Sequence, residues 1–347
     1  MSAEPQSPSF PATARSFGRI HWRAIALSLY ATAFLIVVVV MGLPVGRDWL
    51  ILWLLGALVL GCVGRSQGLG RLVFEFLPLA AVLLAYDFLK GRTDSIAGHT
   101  YTYPQIRFDE ALFGGTAPTV TLQRWLYTPG SPHVWDYLLT LVYLTYFVVP
   151  LVVAALIWQF RHAWFGRYAL MLVMLAAMAL VTYAVFPATP PWLAALQHDI
   201  PHVSRVISGL AGAMHIKMSR AFGSRDAYVN PIAAVPSLHF AVTTAIALFF
   251  WSRTRRWRWV LVAYPIAMGF SLVYLGEHYV FDLVVGGIYA VIAYYVAGAI
   301  TGRRAARAAR IPMQLPASTS ALRVGDGAVG DSRTEPDYLP VEPDSVT

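Results

Sequence analysis

The sequence predicts an all-α, polytopic membrane helix bundle of about eight spans. Three observations lead there. Only 13% of the 347 residues are Asp, Glu, Lys or Arg, and 57% are hydrophobic; a soluble domain carries roughly 25% charged residues. The mean hydropathy is +0.57. The apolar residues also gather into eight runs near the ~20 residues that a helix needs to cross a ~30 Å hydrocarbon core. So few charges cannot coat two soluble domains, and so much apolar surface excludes an intrinsically disordered chain. At this point the net charge of +8 fits either nucleic acid binding or the basic loops of a membrane protein.

The first run, 24–43, is too long for a signal-peptide apolar region and lacks a convincing cleavage context, so it reads as an anchor. The second, 49–64, is short. It contains Cys62, the single cysteine, which excludes an intrachain disulfide and a Cys-based zinc cluster and reads as a small buried hydrophobe. The remaining runs are 71–90, 135–159, 165–187, 234–252, 259–276 and 280–300. With a cytoplasmic N-terminus, the arginine-rich turn of Arg253, Arg255, Arg256 and Arg258 falls inside with most of the other arginines, which places both termini in the cytoplasm. Residues 1–22 and 303–347 read as disordered cytoplasmic tails around a membrane-embedded domain, 23–302. Arginine far outnumbers lysine, whose two copies are Lys90 and Lys217; this composition suggests a GC-rich bacterial genome, and the apolar runs would then lie in a bacterial plasma membrane.

Two outer loops are long, about 91–134 and 188–233. Phe108, Leu112, Leu122, Trp125 and Leu126 suggest flat-lying helices in the first, and Val206, Leu210, Met214 and Met218 in the second. They either pack over the bundle or gate a substrate.

Ionisable groups within a membrane are costly, so their positions inform. The centres of all eight runs lack them. Glu75, at the inner end of the third run, reads as snorkelling. Asp87, His239, Glu277, His278 and Asp282 all lie at outer ends. His278 and Asp282 share a helix face at i, i+4 spacing, where a carboxylate can fix the imidazole tautomer and raise the basicity of the other nitrogen. His239 lies on a run that travels inward, and the next run returns outward, so topology alone brings both histidines to one face. Two histidines and an aspartate there suit nucleophilic and acid–base work on a phosphate ester. A structural His–Asp pair and a three-ligand zinc site remain open readings of the same residues.

Pro236-Ser237-Leu238-His239 and Ser271-x6-His278-x3-Asp282 resemble two signatures of the type 2 phosphatidic acid phosphatase superfamily. Phe186-Pro187-Ala188-Thr189-Pro190-Pro191-Trp192 and the Asn230-Pro231 approach to Pro236 resemble its inositol phosphorylceramide synthase-like (inositol phosphotransferase) branch. Asp109, Leu112, Gly114, Pro118, Thr119, Leu122 and Gln123 resemble the same branch. The resemblance spans about residues 80–300, the last six runs. It implies His278 as the nucleophile that forms a phosphohistidine, Asp282 as its orienting carboxylate, and His239 as general acid and then base. Ser237 would touch the phosphate, and neither metal nor other cofactor is expected. The sequence departs from the superfamily where basic residues hold the phosphate: Leu272 follows Ser271 in place of an arginine, and no Arg-Pro pair exists in the chain. Lys217, Arg220 and Arg225 are therefore candidates for the phosphate clamp, with Lys90 or Arg92 in reserve; Asn230 and Tyr143 join them as candidate substrate contacts. Tyr143 and Tyr146 read first as aromatic packing, Trp192 as an interface anchor, and Gly286-Gly287 as a close helix contact. The expected function is transfer of a polar phospho-headgroup, such as phosphoinositol, from a phospholipid to a lipid or polyprenol-like alcohol at the outer face. Lipid phosphatase activity with the same residues is the alternative, and a polytopic transporter or scaffold a third. No nucleic acid partner is expected, since the inner arginines serve as orientation signals.

Overall fold

A computed structural model describes residues 25–26, 28–37, 47–62, 68–90, 100–213 and 232–310. Among them the chain is helical, with two isolated bridges and no strand. Eight apolar helices occupy the eight predicted runs. Four are long and apolar enough to cross a membrane: α3 (Gly68–Lys90), α6 (Val134–Phe160), α7 (His162–Val185) and α12 (Val280–Arg310). Four are shorter: α1 (Ser28–Val37), α2 (Arg47–Cys62), α10 (Leu238–Trp251) and α11 (Arg258–Tyr274). The outer loops add α4 (Tyr103–Leu112), α5 (Pro118–Leu126), α8 (Pro191–Leu196) and α9 (Val206–Ala213). The fold is thus an all-α polytopic bundle, and it makes the chain an integral membrane protein.

The bundle core is built where apolar helices face one another. Tyr168, Met171 and Leu175 on α7 pack with Phe249 on α10 and with Met268 and Leu272 on α11, all essentially without solvent contact. Leu138, Leu141, Val181, Val185 and Ile266 point outward and stay exposed, the disposition a hydrocarbon surround requires. Cys62 is buried, as expected of a small hydrophobe.

Several boundaries differ from the sequence reading. Helix α10 begins at Leu238 rather than 234, because Pro236 disfavours helical backbone at the preceding Val235 and Ser237 takes the N-cap position. Helix α12 runs past 302 to Arg310, since alanine and arginine between 303 and 310 are strong helix formers. The chain divides into two compact units, 1–305 and 306–347. The predicted tail segments 1–22 and 311–347 lie outside the described residues.

Glu75 does not snorkel alone. It sits in a π-helical stretch, Leu72–Phe76, inside α3. The Trp158 indole N–H donates to it at 2.9 Å, and His162 and Arg71 pair with it. In the outer loops, Val206, Ile207 and Leu210 are buried, so α9 packs onto the bundle; Leu112 and Trp125 remain exposed.

Candidate active site

Three helix ends build the site. Helix α11 finishes in a Schellman turn: Gly276 N–H bonds the Val273 carbonyl at 3.3 Å, and Glu277 N–H bonds Leu272 at 3.1 Å. Gly276 has φ +78°, and a Cβ there would lie 2.9 Å from the Ser204 carbonyl oxygen, so glycine is required on both counts. This turn releases Glu277 and His278 toward the start of α12. Asp109 on α4 caps that start, its carboxylate accepting from Val280 N–H and Phe281 N–H at 3.0 Å each. Burial pushes its pKa up to about 6, against the pull of those two backbone bonds and with the Asp282 charge adding to the rise.

The described part of the proline-rich segment after α7 acts as a clasp. Ala188 N–H bonds Ile232 O at 2.7 Å, Ala234 N–H bonds Ala188 O at 3.2 Å, and Tyr101 N–H bonds Pro187 O at 2.8 Å. The Tyr183 hydroxyl adds a bond to Pro236 O at 3.0 Å. Together these hold the Pro236-Ser237-Leu238-His239 approach. Ser237 N–H then bonds the Asp282 carbonyl at 3.1 Å, which ties the α10 start to the α12 start.

The predicted catalytic trio converges. His278 Nδ1 lies 3.1 Å from Asp282 Oδ2, which also accepts from Tyr279 N–H at 2.9 Å. Asp282 is fully buried and His278 nearly so. The His239 and His278 rings stand 5.7 Å apart, centroid to centroid, at 59°. His239 is walled by Tyr143 at 4.7 Å, Tyr146 at 4.0 Å and Phe147 at 5.7 Å. An ionised Asp282 accepts the Nδ1 proton and leaves the lone pair on His278 Nε2. The trio does not form a metal-binding set: among the described residues no group of three His, Cys, Asp or Glu side chains is placed to hold an ion.

The other candidates divide. Ser237 is buried, and its Oγ accepts from Phe240 N–H at 3.5 Å as a helix cap. Tyr143 stacks on His239. Lys90 lies 5.9 Å over the Tyr183 ring, beside the clasp. Arg92, Lys217, Arg220, Arg225 and Asn230 lie outside the described residues. Gln123 is a buried clip: its amide N–H groups reach Ser204 O at 2.9 Å and Tyr274 O at 2.8 Å, while Ser204 N–H returns to Oε1 at 2.8 Å. Ser271 turns away, donating to Leu139 O at 2.6 Å, and Leu272 is wholly buried, so the missing arginine's position belongs to the core.

Sequence reasoning passed over Arg205. It forms a bidentate pair with Glu277, Nε–Oε1 at 2.7 Å and Nη2–Oε2 at 3.2 Å, one residue before His278. Its guanidinium stacks 4.8 Å over Trp192. Burial works to lower the Arg205 pKa, but Glu277 outweighs it and holds it above the ordinary value. The available signal was local: Arg205 immediately precedes the apolar Val206–Ala213 helix that docks the loop.

A family profile described as the PAP2 superfamily matches residues 106–296, from α4 into α12. The chain belongs to the PAP2 superfamily. No curated protein and no solved structure matches it. The matched stretch contains the two histidines, Asp282, the Asp109 cap and the Arg205–Glu277 pair. Superfamily membership makes the chain an enzyme of the phosphoryl-transfer or hydrolysis kind.

Proposed function

We propose that the protein is a membrane phosphotransferase of the inositol phosphorylceramide synthase type. It moves a polar phospho-headgroup, phosphoinositol being the first candidate, from a phospholipid to a lipid or polyprenol-like alcohol. The observation that carries this reading is the His278–Asp282 pair facing His239 across 5.7 Å. That gap suits a phosphoryl group between two imidazoles. His278 Nε2 attacks phosphorus, the P–O bond to the donor lipid breaks, and protonated His239 gives its proton to the leaving alkoxide. In the second step neutral His239 takes the proton of the incoming alcohol. The new alkoxide attacks the phosphohistidine and frees His278. Asp282 holds the Nδ1 proton and balances the imidazolium charge in both steps.

Arg205 supplies the positive charge that such a transition state needs. Glu277 engages Nε and one Nη, which leaves the other Nη free to face a phosphate oxygen. Transfer rather than hydrolysis is favoured by the aromatic wall on His239. Tyr146 and Phe147 in that wall also line a small, partly open apolar cavity of about 40 Å³ between α3, α6, α7 and α10. Apolar walls of this kind disfavour a hydrolytic water more than an alcohol carried on a hydrocarbon chain. The arginines at the opposite end, Arg253, Arg255, Arg256 and Arg258, support an extracytoplasmic site with cytoplasmic termini.

Purified protein with labelled phosphatidylinositol, with and without diacylglycerol or ceramide, tests this. A new labelled lipid that requires the acceptor is expected. Free inositol phosphate in the absence of acceptor would establish hydrolysis instead. His278→Ala and His239→Ala should each abolish turnover.

A further inference from the structure

The end of the bundle farthest from the histidines holds a second concentration of charge. Arg167, near the start of α7, and Arg253, just after α10, meet there. Arg167 lies 4.6 Å over the Tyr294 ring; Arg253 lies 5.1 Å over Trp164 and 4.1 Å over Phe249. Tyr294 follows Asp282 on α12 by a rise of about 18 Å. Room for Arg167 is built in at Gly298, where a Cβ would lie 2.8 Å from its Nη2.

These two cations lack a counter-charge among the described residues, where neither forms a salt bridge. Arg167 Nε is buried with no hydrogen-bond partner among them, and its Nη2 reaches the Tyr294 carbonyl only at 3.5 Å. Arg253 donates to the Phe249 carbonyl and to Tyr294, the ring that Arg167 covers, so both guanidiniums gather at one tyrosine; burial and the charge of Arg167 lower the Arg253 pKa against that Tyr294 bond. Snorkelling arginines would diverge toward water; these converge between α7, α10 and α12. Cation–π contacts offset part of the repulsion, and an anion would offset the rest. The exposed indoles of Trp251, Trp257 and Trp259 lie at the same end, where tryptophan marks the headgroup level of a bilayer.

We infer that Arg167 and Arg253 bind the phosphate of an anionic phospholipid in the leaflet away from the His–Asp site. Guanidiniums recognise phosphate oxygens through paired N–H bonds, and Trp164 and Tyr294 offer the aromatic surround of a headgroup. This site is independent of the chemistry at His278, so its test does not depend on that chemistry.

Native mass spectrometry of the full chain in detergent micelles, titrated with phosphatidylglycerol or phosphatidylcholine, reads it out. Wild type should retain one phosphatidylglycerol in preference to phosphatidylcholine. The Arg167→Gln/Arg253→Gln pair should raise the apparent Kd for phosphatidylglycerol roughly 30-fold, the weight of two basic contacts at a membrane surface. Arg167→Lys/Arg253→Lys should keep most of the affinity. If the double Gln variant does not fold, Arg253→Gln alone, in the turn after α10, should show a loss of about fivefold. Equal retention by wild type and the variants, or no preference between the two lipids, would overturn the site. Displacement of the lipid by inorganic phosphate at equal concentration would overturn its assignment to a lipid.

Discussion

Gly286→Ala should disable the enzyme, whereas Gly287→Ala should not. A Cβ on Gly286 would stand 2.5 Å from the Ser237 carbonyl oxygen. A carbon and a carbonyl oxygen settle at about 3.3 Å, so one of them must retreat by about 0.8 Å. The oxygen cannot rotate away, because it is backbone at the N-cap of α10. Ser237 N–H is also tied to the Asp282 carbonyl at 3.1 Å, so the retreat moves His239 relative to His278 and Asp282. A misplacement of about 1 Å in a reacting geometry costs on the order of 100-fold in rate, and overpacking adds about 1–3 kcal/mol of destabilisation. At Gly287 the added Cβ meets Phe240 Cε1 at 3.4 Å, an ordinary contact. There the helix-propensity gain of up to about 1 kcal/mol should survive. Turnover of labelled phospholipid and thermal unfolding, measured for both variants in one detergent, give the comparison. Equal activity and equal stability in the two would refute the proposed tie between the α10 and α12 starts.

Arg205→Gln and Arg205→Lys should both lower kcat/KM at least tenfold, since lysine cannot reproduce the bidentate hold on Glu277 while reaching a phosphate; full rescue by lysine in a steady-state assay would remove Arg205 from the clamp. Asp109 has a folded pKa of about 6 against an ordinary 3.8, so its linkage favours the native state below the ordinary value and is lost as pH rises through 6. Unfolding temperatures across that range should therefore fall less steeply in Asp109→Asn than in wild type, and an identical pH slope would contradict the assignment. Gln123→Ala removes three hydrogen bonds and strands buried partners, a loss of about 2–4 kcal/mol; an unchanged unfolding transition would show that the Gln123 clip is unimportant.

The convergence of His239, His278 and Asp282 was legible because it depends only on which helix ends share a membrane face. The start of α10 was not legible from hydropathy, which counts Ala234 and Val235 as apolar and does not register the cap at Ser237. Arg205 was missed for a different reason. Its position depends on α9 docking against α6 and on the backbone bond between Val206 N–H and Leu275 O at 3.4 Å, a tertiary contact that the local signal, an arginine just before an apolar helix, does not reveal. Glu75 illustrates a third limit: the π-helical stretch around it and its pairing with Trp158 and His162 depend on neighbouring helices. Gly286 and Gly287 were read together as one close contact, but only the first approaches backbone, a difference set by one step of helical rotation.

The covalent step at His278 can be tested directly. Protein mixed with phosphate-labelled phosphatidylinositol, quenched under alkaline conditions and digested, should yield an acid-labile phospho-adduct on the peptide containing His278. The adduct should be absent from His278→Ala and discharged when a lipid alcohol is added to wild type. Turnover by His278→Ala, or an adduct on another residue, would contradict the mechanism.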